Sequence, residues 1–282
     1  LVNASWEFRH AQIGLGWSHD AWGNFSGDIR VTGANVNLDG GATSTSYARI
    51  GHGGWISGIN TGDRTGNIYV GTPGEVSIET PSGGVAAIGH YNMAGAGTIH
   101  SANVTIVASS MDTVFGVSGG NVFEVSGPIG AMLSANLLGG DVSLHSTGAG
   151  GLWINPNANM SYTSAHDFNL LSAYDVDIRR TIQNAGSGNL NVVAGWNPAV
   201  GALAHPATGI IAGVDMAGKI FNTPASFGNS NGRVILSNAA VASSVGSLSG
   251  QTNVAGPAVS LSGPVAASAY AQIGYRGAGT GA

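Results

Sequence analysis

The chain has 282 residues with 9 Lys and Arg against 14 Asp and Glu, a formal net charge of −5, 47 glycines and no cysteine. Only 8% of the residues are charged, against about 25% in ordinary globular proteins; the one lysine, Lys219, leaves no basic patch to neutralise phosphates, which excludes nucleic acid and anionic membrane surfaces as partners. The missing cysteines exclude disulfides, thiolate catalysis and Cys-based zinc or iron–sulfur sites, and no apolar run of roughly 18 residues offers a transmembrane helix.

In chain order, the first repeated text is Ala11-Gln12-Ile13-Gly14, followed by Ala48-Arg49-Ile50-Gly51 and Ala86-Ala87-Ile88-Gly89, with an echo at Ala271-Gln272-Ile273-Gly274. The first three isoleucines stand 37 and 38 residues apart. After each of the first two units come a glycine-rich loop and two short alternating runs, Ile29-Arg30-Val31 with Val36-Asn37-Leu38, then Ile68-Tyr69-Val70 with Val76-Ser77-Ile78. A fixed period of this size marks a solenoid, in which each repeat buries its apolar face only against its neighbours. Equivalent residues then lie about 4.8 Å apart. Ile13, Ile50 and Ile88 form one internal ladder, Ile29 and Ile68 another, and the glycine after each ladder isoleucine marks a corner. Long loops at roughly 15–28, 52–66 and 90–97 protrude at that corner.

Beyond residue 110 the strands come faster: Val122-Phe123-Glu124-Val125, Val142-Ser143-Leu144, Phe168-Asn169-Leu170, Val176-Asp177-Ile178, Leu190-Asn191-Val192, Val234-Ile235-Leu236 and Val259-Ser260-Leu261. Pro128, Pro156, Pro198, Pro206, Pro224 and Pro257 fall between strands, where a missing N–H breaks no ladder. No window of a dozen residues carries helical apolar spacing, so almost no helix is expected. No linker interrupts the text. The reading is one all-β parallel solenoid over 1–282, with longer coils in 1–110 and shorter coils in 111–282, about ten coils and on the order of 50 Å long. The chain opens Leu1-Val2-Asn3 without a secretory signal, and so reads as an excerpt of something longer.

The segment Tyr162-Thr163-Ser164-Ala165-His166-Asp167-Phe168-Asn169-Leu170-Leu171-Ser172-Ala173-Tyr174-Asp175-Val176-Asp177-Ile178, continued by Ile182-Gln183-Asn184-Ala185-Gly186-Ser187-Gly188-Asn189-Leu190-Asn191-Val192-Val193-Ala194-Gly195-Trp196, resembles the repeats of filamentous-haemagglutinin-like exoproteins of the two-partner secretion class. The stretch from Tyr47 to Gly54 resembles repeats in very large members of that group. The resemblance implies a right-handed parallel β-helix, secreted and displayed on a Gram-negative cell surface. It also implies an outer-membrane transporter as a secretion partner and, as in many members, adhesion. Asn155-Pro156-Asn157 is similar to a motif of the family's secretion domain, but Ala158 stands where that motif has glycine, so this chain reads as passenger repeat.

Parallel β-helices also house polysaccharide lyases and hydrolases, which need clustered carboxylates on an outer face. The candidates are Asp175, Asp177 and Arg179, placed on one outward side by the period of two, and His166-Asp167; a solvated strand face and a corner pair explain both. No nucleophile elbow, metalloprotease helix, phosphate loop or calcium-binding nonapeptide is present, so no enzyme activity and no cofactor is expected. The candidate site lies in the first three loops: Trp17, His19 and Trp22, then His52 and Trp55, then His90 and Tyr91, all entering from equivalent corners. Exposed aromatics mark contact surfaces. Three readings stand open for them: a satellite core folded over the rod, contact with another protomer, and a glycan face. His52 and His90 alone fall short of a metal coordination set. The leading function is a structural or adhesive extracellular rod that associates end to end into a filament or forms a passenger segment, with a glycan-binding module as the alternative and a polysaccharide lyase or hydrolase more distant.

Overall fold

A computed structural model describes residues 2–3, 10–16, 23–43, 45–53, 62–79, 84–90, 100–101, 103–112, 122–196, 232–238, 240–263 and 270–276. It is mostly β, and its strands pair in parallel. Two long sheets run through the described chain. The nine-stranded one takes in order 2–3, 36–39, 75–79, 110–112, 123–125, 152–154, 176–178, 233–237 and 258–262. The seven-stranded one takes 29–32, 68–71, 104–108, 142–146, 168–172, 190–193 and 252–255. At about 4.8 Å per strand the longer sheet extends roughly 40 Å.

The expected ladders form in the expected register. Ile13 pairs with Ile50 and Ile50 with Ile88 in a three-stranded sheet of 10–13, 47–50 and 85–88. Ile29 pairs with Ile68 in the seven-stranded sheet. Ile50 and Ile88 are wholly buried, whereas Ile13, on the outermost described rung of its sheet, is 38% exposed. The alternation of a strand sets polar residues outside many core residues, as in Phe168-Asn169-Leu170, where both hydrophobes are fully buried. The corner glycines are required: Gly51 has φ of 155°, and a Cβ there would stand 2.0 Å from the Gly89 carbonyl oxygen.

Three features depart from the sequence expectations. Loop text at 15–28 and 52–66 contains short strands, Phe25–Ser26 and Arg64–Thr65, which pair with each other and on to His100–Ser101. An α-helix, Gly127–Asn136, exists where none was expected, because its ten residues are apolar nearly all round and carry no helical period to read. Pro128 opens this helix, where its missing N–H costs nothing, so it does not simply separate strands.

The helix stands on the face of the Ile–Gly sheet, between strand 85–88 and strand 160–162. The latter begins a four-stranded sheet with 181–184, 243–247 and 271–273, and that sheet holds the echo unit Ala271-Gln272-Ile273. Over the same interval the nine-stranded sheet inserts two strands, 110–112 and 123–125. The seven-stranded sheet inserts one strand there, 104–108, so the gap is two to three strand spacings, roughly 10–14 Å, and a helix about 10 Å across takes it up. Asn136 Nδ2 donates to the Ile88 carbonyl at 2.7 Å, supplying the donor that a next strand would have given. At the other end the Gly127 N–H donates to Asn157 Oδ1 at 2.8 Å.

Candidate functional site

Of the seven loop residues singled out in the sequence, Trp17, His19, Trp22, Trp55 and Tyr91 lie outside the described residues. His52 and His90 are described, and they stack on one another with ring centroids 4.8 Å apart and planes at 16°. Each follows the glycine that turns the corner, so the repeat itself sets one imidazole above the next.

Their ring nitrogens are committed to the backbone. His52 Nδ1 accepts from the Leu15 N–H at 2.9 Å, and His90 Nδ1 accepts from the His52 N–H at 3.0 Å. His52 Nε2 faces the Gly27 carbonyl and His90 Nε2 the Gly66 carbonyl, both at 2.9 Å. The tautomer with the proton on Nε2 satisfies all four contacts. An imidazole with both nitrogens so used has no lone pair left for a metal ion and no donor left for a ligand. His52 is also 3% exposed. The pair is a structural ladder that replaces strand hydrogen bonds where the loops leave the sheet, and these two residues are withdrawn from the proposed contact face.

A cavity of about 240 Å³ adjoins this corner, between the edge of strand 85–88 and the helix. Ile88, Ile129, Met132 and Ala135 give it an apolar wall, with Arg49, His90 and Asn136 among the polar groups in its lining. Small apolar groups are what it could accommodate. Arg49, 1% exposed, lies against the Tyr47 ring at 5.2 Å. Burial pushes the Tyr47 hydroxyl pKa up, with the Arg49 charge opposing. Arg64, also fully buried, donates through Nη1 to the Gly23, Gly62 and Asp63 carbonyls at 2.7, 2.9 and 3.1 Å. Its guanidinium covers the Phe25 ring at 4.5 Å. Burial lowers its pKa, and nearby Asp63 raises it in part.

The carboxylates considered for catalysis are tied into the scaffold. Asp177 Oδ2 receives Arg179 Nε at 2.8 Å and Nη2 at 2.7 Å, and Asp175 Oδ2 receives Arg233 Nη2 at 2.8 Å. Asp167 accepts from the Asn189 N–H at 2.7 Å and from Asn189 Nδ2 at 3.2 Å. Neighbouring His166 instead lies 3.8 Å from Asp141. No base and orienter pair results.

Polar residues are expected to bond along the axis at the corners, and one such ladder, not singled out residue by residue in the sequence, is present. The residue just before each strand of the seven-stranded sheet is Asp28, Asn67, Asn103, Asp141, Asp167, Asn189 or Gln251. Where the contacts are described, its side-chain oxygen accepts the next coil's backbone N–H: Asn67 onto Asp28, Asp141 onto Asn103, Asp167 onto Asp141, Asn189 onto Asp167, Gln251 onto Asn189, all at 2.7–2.9 Å. The available signal was a carboxylate or amide immediately ahead of each strand of this sheet. No family model matches this chain, no curated protein matches it, and no solved structure matches it.

Proposed function

We propose that this chain is a structural rod, wound as a right-handed parallel β-helix, that serves an extracellular adhesive surface as a filament protomer or passenger segment. The observation that carries the reading is the course of the two long sheets: they keep parallel pairing through the described chain although the number of residues between successive strands varies widely. That is what a load-bearing repeat needs and what a single catalytic pocket does not.

Of the exposed large hydrophobes among the described residues, Leu138, Tyr174 and Leu248 stand elsewhere, while Ile13 and Leu15 lie on the outermost rungs at one end and Val259, Leu261 and Ile273 at the other. A further coil, from more chain or from a second copy, would cover them. Secretion through a dedicated outer-membrane transporter to a Gram-negative surface follows from the repeat resemblance and belongs to the same proposal. Electron micrographs and sedimentation of the purified chain test it: rods lengthening with concentration are expected, and Leu261→Lys should cap them. Compact particles of no fixed long axis overturn the rod; a monodisperse short rod unaffected by Leu261→Lys overturns the filament.

A further inference from the structure

A second site lies on the outer face of the four-stranded sheet, far in sequence from the loop aromatics. In strand 160–162, Ser161 is exposed between buried Met160 and Tyr162, and in strand 181–184, Gln183 flanks buried Ile182 on the same outward side as Thr181. Ser161, Gln183 and Gly246 occupy one register position on three successive strands. Because residue 246 has no side chain, the backbone of Gly274 and Tyr275 lies directly on it; a Cβ there would stand 2.2 Å from the Gly274 carbonyl carbon. The chain is thereby folded back over the sheet. Its Arg276 N–H donates to Gln183 Oε1 at 3.0 Å, while Gln183 Nε2 donates to Ser244 Oγ at 3.1 Å.

The result is a groove of about 280 Å³ with Ser161, Thr181 and Gln183 on its floor side and Tyr270, Tyr275 and Arg276 on its wall. The size suits one sugar ring. Hydroxyl and amide groups that can both donate and accept match a ring of hydroxyls, and tyrosine offers an apolar plane beside a polar tip. The Arg276 guanidinium rests 3.9 Å over the Tyr270 ring. The ion pairs among the described residues are His166–Asp141, Arg179–Asp177 and Arg233–Asp175, and none uses Arg276. A guanidinium held over a ring, anchored through its own backbone and exposed at a groove edge is pre-organised for bidentate pairing with a carboxylate.

We infer that this groove binds an acidic saccharide, a uronate-type residue whose carboxylate pairs with Arg276 and whose hydroxyls meet Ser161 and Thr181. The site uses none of the loop residues at the other end of the chain. Isothermal titration of the whole chain tests it with three probes: a glucuronate-bearing tetrasaccharide, the same tetrasaccharide with its carboxyls reduced to alcohols, and sodium acetate. The expected result is binding of the first, roughly tenfold weaker binding of the second, and none of the third. Arg276→Gln should erase the difference between the two sugars, and Ser161→Trp, which fills the groove from its opposite side at an exposed position, should abolish both. Circular dichroism checks that each variant keeps its fold. Absence of sugar binding overturns the inference, as does equal binding of the two sugars. Acetate binding as strong as that of the uronate reduces the site to a bare carboxylate contact and overturns it too, and so does sugar binding that survives Ser161→Trp.

Discussion

The coils before the helix and those after it share two faces and differ on the third. Before it, equivalent residues bonded along the axis lie 37 to 39 residues apart, as in Leu15 with His52 and Gln12 with Gly51. After it the interval falls to 26 and then 22, as in Ser143 with Asn169 and Asn169 with Asn191, and then widens to 62 between Asn191 and Asn253. The seven-stranded sheet crosses that change without losing pairing. The early coils close the third face with glycine corners and stacked imidazoles. The later ones close it with amides, as where Asn184 Oδ1 accepts the Ser164 N–H at 2.9 Å and its Nδ2 donates to the Ser164 and Gly188 carbonyls at 3.0 and 2.9 Å. Register is thus held by the two shared faces, and coil length is a local choice.

The sharpest way to break this picture is to charge a shared interior ladder. Ile50 is wholly buried between Ile13 and Ile88, so Ile50→Asp sets an unpaired carboxylate in an apolar stack. The expected loss is roughly 4 kcal/mol or more, seen as a collapse of the thermal midpoint by circular dichroism. A midpoint near that of the parent would show that the ladder does not hold the early coils together.

Acid should separate the two regions next. His145, on the outer side of strand 142–146, is 4% exposed, and its register neighbours Val107 and Leu171 are apolar. Leu171 and Val193 are buried as well, yet stand outside the internal core. Burial pushes the His145 pKa down to about 4. The unfolded chain therefore takes up a proton near the ordinary histidine value, about 6.5, where the folded chain does not. Stability is complete above that value, falls as pH drops toward 4, and levels below it, a loss on the order of 3 kcal/mol. Denaturant titrations from pH 7 to 4 should show the fall, and His145→Leu should flatten it. An unchanged slope in that variant would place the acid sensitivity elsewhere.

The parts that were legible in the sequence are those where chemistry repeats at a fixed interval. Ile13, Ile50 and Ile88 announce both strand and register, and Phe168-Asn169-Leu170 announces its buried face. The helix was not legible, because Gly127-Pro128-Ile129-Gly130 carries turn residues and no period, and what holds it is a distant Ile88 carbonyl. The histidine corner was legible as a stack but not as a role. Residue type alone does not tell an imidazole that offers its nitrogens to solvent from one that spends them on Leu15 and Gly27. The saccharide groove depends on Gly246 lying under Tyr275, a contact that only the folded chain brings together.

Corner chemistry can be compared directly at middling cost. His52→Ala strands the Leu15 N–H and the Gly27 carbonyl; Asn184→Ala strands the Ser164 N–H and the Ser164 and Gly188 carbonyls. Each change should cost about 1–2 kcal/mol in chemical denaturation. The two effects should add, since the sites share no partner. Strong coupling between them would show that the two regions do not hold their corners independently.

The smallest effect is expected on the outer face of the nine-stranded sheet, where the sequence first suggested catalysis. Asp177 and Arg179 form a two-bond pair with side chains 19% and 44% exposed, and Arg179 also covers the Trp153 ring at 4.8 Å. Water competes for both charges, so Asp177→Asn should cost no more than about 1 kcal/mol. The adjacent inward residue provides the internal standard: Ile178 is wholly buried, and Ile178→Ala should cost about 3 kcal/mol. If Asp177→Asn proves the costlier of the two by denaturant midpoint, the outer face contributes more to the fold than its exposed ion pair accounts for. If it instead removes a measurable release of reducing ends from an acidic polysaccharide, the rod carries chemistry as well as load.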